Sequence, residues 1–209
     1  MPRLLEYDRA QFRRIVGSQF GVISRDQVLS CGMTRGAITY RLRKDGPWRQ
    51  ILPAVYMIST GTPTAEQREM AALLYAGPDS RITGPVALGR QGMQCDDPGV
   101  IDVLVPQWRQ RKSTAFVRIQ RATRIPQQTF RIGALRYVPA PRALADTVRA
   151  MTRFSDVETL VSRAVQKGKC TTAELASEVE TGRMQGSRLL REAFTEVKSG
   201  TWSSTEGDL

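Results

Sequence analysis

The stretch Gly21–Ile58, GVISRDQVLSCGMTRGAITYRLRKDGPWRQILPAVYMI, decides how the rest of the chain is read. Ser24 is placed to cap a first short helix, because its hydroxyl accepts from the orphan amides of a first turn. Val28 and Leu29 give that helix an apolar side, and Cys31-Gly32 ends it. Thr34 caps a second helix expected to run to about Lys44, where Asp45-Gly46-Pro47 stops it. Trp48–Leu52 and Val55–Ile58 are short strand-like runs around Pro53.

Two short helices, a turn and a small hairpin, in that order, are the layout of a winged helix-turn-helix with the hairpin as wing. The second helix carries the case for DNA. At roughly 100° per residue, Ile38 and Leu42 fall on one side with Ala37 at its margin. Gly36, Thr39, Tyr40 and Arg43 fall on the other. A small residue, two hydroxyls and a guanidinium let a helix sit close in a major groove and reach base edges and phosphates. Arg35 opens the helix, and Lys44 and Arg49 stand where the helix end and the wing can meet backbone phosphates. Ser24, Arg25 and Thr34, at the two helix starts, complete this candidate set. The same spacing is also that of a solvated polar face on an ordinary three-helix scaffold. The basic charge and the hairpin favour DNA.

The chain has 209 residues and a formal net charge of +11, with 31 Lys and Arg against 20 Asp and Glu. This length allows one large or two small domains with real cores. Residues 1–58 carry +6, residues 59–150 another +6, and residues 151–209 carry −1. A surplus so placed calls for a polyanionic partner met by the first three-quarters of the chain. Three widely spaced cysteines, Cys31, Cys95 and Cys170, form no C-x-x-C pair, so free thiols are expected. There is no histidine, which removes His-dependent triads, His general bases and most zinc sites. No P-loop or G-x-G-x-x-G element is present, and no cofactor is expected. Without a long apolar run or a signal-peptide core, the chain reads as a soluble cytoplasmic protein with no membrane partner. Oligomeric state is open.

Outside the opening stretch, Asp8–Gln19 should be a helix with Phe12, Ile15 and Val16 on its apolar side. Ser59-Thr60-Gly61-Thr62-Pro63 marks a domain boundary by its turn-forming composition. Thr64 then caps a helix to about Ala76, and Asp79–Ile82 links it to a short helix near Pro85–Gln91. Strands are expected at Val100–Val105, Ala115–Arg121 and Phe130–Val138, followed by a helix from Pro141 to about Met151. The last part is helical: Ser155–Lys167, Thr171–Thr181 with a T-x-x-E capping box, and Gly186–Lys198. The expected fold is α+β: a winged helix-turn-helix at 1–60, then a domain at 61–200 with a small, mainly antiparallel sheet and a helical C-terminal part. Residues 201–209 read as a flexible tail.

A second basic concentration runs from Trp108, Arg109, Arg111 and Lys112 to Arg118, Arg121, Arg124, Arg131 and Arg136. Strand periodicity puts Arg118 and Gln120 on one face, opposite Val117 and Ile119. Such a face, fed by a basic loop with a tryptophan, can track a phosphate backbone, so Arg109, Arg111 and Lys112 join the candidate DNA contacts. A solvated arginine-rich surface, or a face for an acidic protein, fits the same residues. Asp96, Asp97 and Asp102 near a strand evoke a metal-dependent nuclease. The next strand, AFVRIQR, lacks the carboxylate such a site needs, so no enzyme activity is expected.

The opening stretch resembles the N-terminal winged-helix domain of AbiEi-type antitoxins of type IV toxin–antitoxin systems. That family starts Gly-hydrophobic-Ile-Thr/Ser, continues through a turn and a basic recognition helix, and ends its wing P-G-V-Y. Here the last motif is Pro53-Ala54-Val55-Tyr56, a departure that matters where the position requires positive φ. The likeness continues through ITGPVALGRQGM, IDVLVP, APRALADTVRAM and VSRAVQKGKCTTAELASEVETG, which look like the second domain of actinobacterial members. It implies an operator-binding transcriptional regulator, often an autorepressor, whose functional partner is a nucleotidyltransferase-like toxin met without a stable complex. Alternatives are an antitoxin that binds its toxin directly and the DNA-binding part of a longer nuclease-like protein. Longer relatives continue past an S-x-x-E segment into a nuclease-type domain, and Ser203–Leu209, with Glu206, looks like the start of that segment.

Overall fold

The computed structural model describes residues 7–95, 99–181 and 188–199. Asp96, Asp97 and the tail at 201–209 lie outside them. The class is α+β. Through residue 58 the order is α1 (Arg9–Ser18), β1 (Val22–Ser24), α2 (Arg25–Ser30), α3 (Arg35–Arg41), β2 (Arg49–Leu52) and β3 (Val55–Met57). Local chemistry sets the helix starts. Asp8 accepts from the Gln11 amide at 2.8 Å, and Thr34 Oγ1 from the Ala37 amide at 3.2 Å. Ser24 and Gln27 form a reciprocal capping box.

Helix α3 ends at Arg41, three residues before the expected Lys44. The reason is a competing bond: the Arg41 carbonyl, which would accept from Asp45 in a longer helix, accepts from the Trp48 amide at 3.1 Å. The chain doubles back so tightly there that a Cβ on Gly46 would lie 2.2 Å from the Arg41 oxygen. Asp45 takes the turn at φ 62°. Strand β1 was not expected from sequence. It is three residues long, and its last residue is also the cap of α2. It completes an antiparallel sheet of order β1-β3-β2. Under that sheet and the three helices lies an aromatic core. Trp48 stacks on Phe12 at 5.7 Å between centroids and on Tyr56 at 6.3 Å, with Ile23, Val28 and Ile38 around them.

The chain continues through α4 (Ala65–Ala76), β4 (Arg81–Thr83), α5 (Gly84–Arg90), β5 (Ile101–Pro106), β6 (Val117–Ala122), β7 (Phe130–Ile132) and β8 (Leu135–Tyr137). It closes with α6 (Ala140–Val148), α7 (Phe154–Gln166), α8 (Thr172–Thr181) and α9 (Arg188–Ser199). Thr64 and Gln67 cap α4 reciprocally, and Thr171 with Glu174 does the same for α8. The second sheet has the order β6-β5-β4-β8-β7 and is mixed, which corrects the mainly antiparallel expectation. β5 and β6 pair in parallel from Ile101↔Val117 to Pro106↔Ala122, and β4 pairs β8 in parallel. Consecutive strands joined by a short segment suggest a hairpin; here residues 107–116 make the crossover without a helix, near the lower limit of length for a parallel connection. The run expected as one strand at 130–138 is the hairpin β7–β8. Its two-residue turn opens on Gly133 at φ 57°, the glycine position of a type II′ turn.

The chain divides into two compact units, and not at the boundary near residue 60. The first holds Met1–Ile82, Val100–Ile125 and Phe130–Tyr137; the second holds Thr83–Gly99, Pro126–Thr129 and Val138–Leu209. Helix α4 is the physical reason. It touches β1, β2 and β3 of one sheet and β5 and β8 of the other, burying Met70, Ala71, Ala72 and Leu73. Its buried Glu69 accepts from the Tyr137 hydroxyl. The second unit is helical, organised around the buried Asp146. That carboxylate accepts from Thr83 Oγ1 at 2.6 Å, from Arg142 Nε at 3.0 Å and from Arg149. Cys170 is buried there, and burial followed by Glu174 pushes its thiol up to about 11. Among the described residues no helix is long and apolar enough to cross a membrane.

The turn between β2 and β3 places Ala54 at φ 60°, so the departure from glycine is strained. With Pro53 confined to negative φ, a positive φ at the next residue makes this a type II turn. Ala54→Gly should therefore stabilise the protein by up to about 1 kcal/mol, relief of left-handed strain outweighing added unfolded-state entropy. Gly46→Ala should destabilise it by about 1–3 kcal/mol, because the clash is with backbone that cannot rotate away. Urea unfolding checks both; an unchanged midpoint for either would contradict the strain assigned to it.

Candidate nucleic-acid interface

Along α3 and the turn after it, the residues expected to face outward are exposed and those expected to face inward are covered. Ile38 is buried against Val28 and Trp48, with Ala37 and Leu42 partly buried beside it. Thr34, Arg35, Gly36, Thr39, Tyr40, Arg43 and Lys44 are exposed, as is Arg49 on β2. Tyr40 is 64% exposed, a large aromatic left in solvent. Arg43 lies over its ring, 3.7 Å from guanidinium carbon to centroid, and donates to the Tyr40 carbonyl at 3.3 Å. The guanidinium is therefore held flat against an aromatic face. Thr39 Oγ1 donates to the Arg35 carbonyl at 3.1 Å, which leaves its lone pairs outward. A Cβ on Gly36 would meet nothing within 4 Å, so the helix backbone lies open at that point.

Not every cation in this helix is free. Arg41 donates to the Ala37 carbonyl at 3.0 Å and lies over the Trp48 ring at 5.5 Å and the Tyr7 ring at 5.8 Å. It is part of the scaffold. Ser24 and Thr34 each use one acceptor site on a helix cap, which fixes their hydroxyls at the two helix starts. Arg25, the first residue of α2, is exposed.

The second basic concentration resolves into three roles. Arg118 is bound to the buried Asp102 by two guanidinium nitrogens, one at 2.6 Å, and Gln120 donates to the same carboxylate at 2.9 Å. The hydrogen bonds to Asp102 raise the arginine's already high pKa. Arg118 is exposed on the face opposite the buried Val117, as its period put it, but its charge is paired with Asp102 within the sheet, and Asp102 is a structural acid. Arg121 braces the preceding loop, donating to the carbonyls of Arg109 at 3.2 Å and Arg111 at 3.0 Å. That loop presents Trp108, 63% exposed, with Arg109 over its ring at 4.6 Å. Lys112 is exposed, and its carbonyl accepts from the Tyr75 hydroxyl at 2.8 Å.

Two groups far apart in sequence meet here. Ser24 and Arg25 line the same cleft of the first unit as Arg109 and Arg111. Neither periodicity nor composition announces this, because the fold alone brings the loop after β5 to the start of α2. Arg81 and Arg136 are further basic residues beside that cleft, and sequence reading gave Arg81 no role. Among the described residues no group of three or more histidine, cysteine or acidic side chains could hold a metal ion.

The division between scaffold and surface arginines is measurable. Arg41→Ala should cost about 1–2 kcal/mol of stability through lost packing on Trp48 and Tyr7. Arg43→Ala, which changes only the exposed face, should stay within about 0.5 kcal/mol. Denaturant unfolding of the two variants checks the assignment, and equal losses would contradict it.

No protein-family model matches the chain, and no curated protein does. Among solved structures, the chain is similar to the crystal structure of the RV2827C protein from Mycobacterium tuberculosis. The two share 13% sequence identity and superpose with a TM-score of 0.55 over 93% of this chain and 80% of that one. At that identity the likeness is one of fold.

Proposed function

We propose that residues 7–58 are a winged helix-turn-helix that binds double-stranded DNA with α3 in the major groove. In this reading the protein is a cytoplasmic transcriptional regulator and autorepressor of the type IV antitoxin kind, acting by binding and without catalysis. A nucleotidyltransferase-like toxin would be its functional partner rather than a stable one. The element order α1-β1-α2-α3-β2-β3, with Ile38 of α3 in one core with Ile23 and Tyr56 of the sheet, supports the fold assignment. The observation that carries the functional reading is the outer face of α3. It offers an open backbone at Gly36 and a hydroxyl at Thr39, with the Arg43 guanidinium, two residues past the helix end, lying over the Tyr40 ring. A flat, oriented guanidinium suits bidentate contact with a guanine edge. Arg35, Lys44 and Arg49 would hold phosphates around it, with Arg109, Arg111 and Lys112 adding affinity that is indifferent to sequence.

Two substitutions test this reading without disturbing the core. Gly36→Leu fills open space and improves helix propensity, so the fold should hold, yet a bulky side chain would keep α3 out of a groove. We expect at least a tenfold loss of affinity for the protein's own upstream duplex, about 1.4 kcal/mol. Unchanged affinity would place the contact elsewhere. Arg43→Ala should lose about 1–3 kcal/mol of preference for that duplex over a random one. Equal losses on both duplexes would reduce Arg43 to a phosphate contact.

A further inference from the structure

The first unit contains a cleft of about 410 Å3, within the range of small-molecule sites. Four arginines line it: Arg25 at the start of α2, Arg109 and Arg111 on the loop after β5, and Arg136 on β8. Asp26 lines it as well, and the nearby Asp79 is engaged by Arg109 at 3.5 Å. Behind Arg136 the sheet sets like charges side by side. Arg131 faces Arg136 directly across the β7–β8 ladder, and the Ile82↔Tyr137 register places Arg81 next to Arg136 on the other side. Neighbouring like charges on one sheet oppose folding. Among the described residues no carboxylate stands within ion-pair distance of Arg131 or Arg136, Asp79 acting on Arg136 only from farther off; Arg136 Nε donates to the Ser80 carbonyl at 3.2 Å. Burial, then Arg131 and Arg81, lower the pKa of Arg136, and Asp79 offsets part of this.

The rest of the wall is preorganised and partly apolar. Arg121 fixes the carbonyls of Arg109 and Arg111, and Arg111 lies over the Tyr75 ring at 5.5 Å. Met70, Leu73 and Leu74 of α4 form the apolar side. Gln19 lines the cleft too, and its buried Oε1 has no hydrogen-bond partner. Arginines on one side and an apolar wall on another describe a ligand with an anionic end and a flat body. A duplex backbone supplies phosphates, but it is convex and leaves the apolar wall unused.

We propose that this cleft binds a small phosphorylated ligand of the nucleotide class, its phosphates held by Arg109, Arg111 and Arg136 and its base against the α4 wall. The proposal does not depend on DNA binding by α3. Isothermal titration of the full chain with ATP, with inorganic pyrophosphate and with a short duplex tests it. We expect ATP to bind more tightly than pyrophosphate, and Arg136→Gln to weaken both at least tenfold while leaving the fold intact or more stable. Arg111→Gln, on an exposed loop, should act in the same direction and serves if Arg136→Gln does not fold. Arg43→Ala should leave ATP binding unchanged. No binding of ATP at millimolar concentration, or ATP binding indifferent to both cleft substitutions, would overturn the site. Equal affinity for pyrophosphate and ATP would overturn the nucleotide assignment. Because the proposed DNA contacts share Arg109 and Arg111, competition by duplex is expected, whereas duplex binding that Arg136→Gln weakens as much as it weakens ATP would give the cleft to the DNA backbone.

Discussion

Trp48 ties the N-terminal fold together. Its ring stacks between Phe12 of α1 and Tyr56 of β3, and its backbone amide takes the carbonyl of Arg41 at the end of α3. One residue thus joins the first helix, the end of the third and the hairpin. Arg41 lies over the same ring, so the last turn of α3 is held from both its backbone and its side chain. The orientation of Gly36, Thr39, Tyr40 and Arg43 follows from that anchor. A helix of seven residues is too short to be stable alone, and its tertiary contacts must supply its definition.

The second organising element is α4, whose near-continuous burial lets it serve two sheets at once. This explains why a linker-like composition at residues 59–63 does not mark a break between compact units. It also bears on the basic surface. The loop carrying Arg109 and Arg111 is fixed to α4 through Tyr75, and α4 in turn packs on the β1-β3-β2 sheet, whose Ile23 and Tyr56 share a core with Ile38 of α3. Charges that are separate in the sequence are therefore held on one framework.

Much of this was legible in the sequence where the determining chemistry is local. Ser24, Thr34, Thr64 and Thr171 cap the helices they were expected to cap, because a cap needs only a hydroxyl or carboxylate and the next three amides; Asp8, expected as the first residue of its helix, is its cap. The outer face of α3 followed from its period. Strand direction did not, since nothing in IDVLVP or VRIQRA states whether the pair runs parallel. Nor did the fate of individual arginines. Arg41 and Arg43 are two residues apart and chemically identical, yet one packs on a buried indole and the other on an exposed phenol. Arg118 looked like its neighbours until Asp102, on another strand, was found beside it. The cleft at Arg25, Arg109 and Arg136 depends on three elements distant in sequence, and no spacing rule reaches that far.

The central claim is that this surface reads duplex DNA. Fluorescence anisotropy with the protein's own upstream region and a random duplex, each across a salt series, tests it most directly. The account expects tighter binding to the upstream duplex and affinity that falls steeply with salt for both, since phosphate contacts release counterions. Equal, weak binding to the two duplexes would contradict it and leave the exposed face of α3 without a DNA partner.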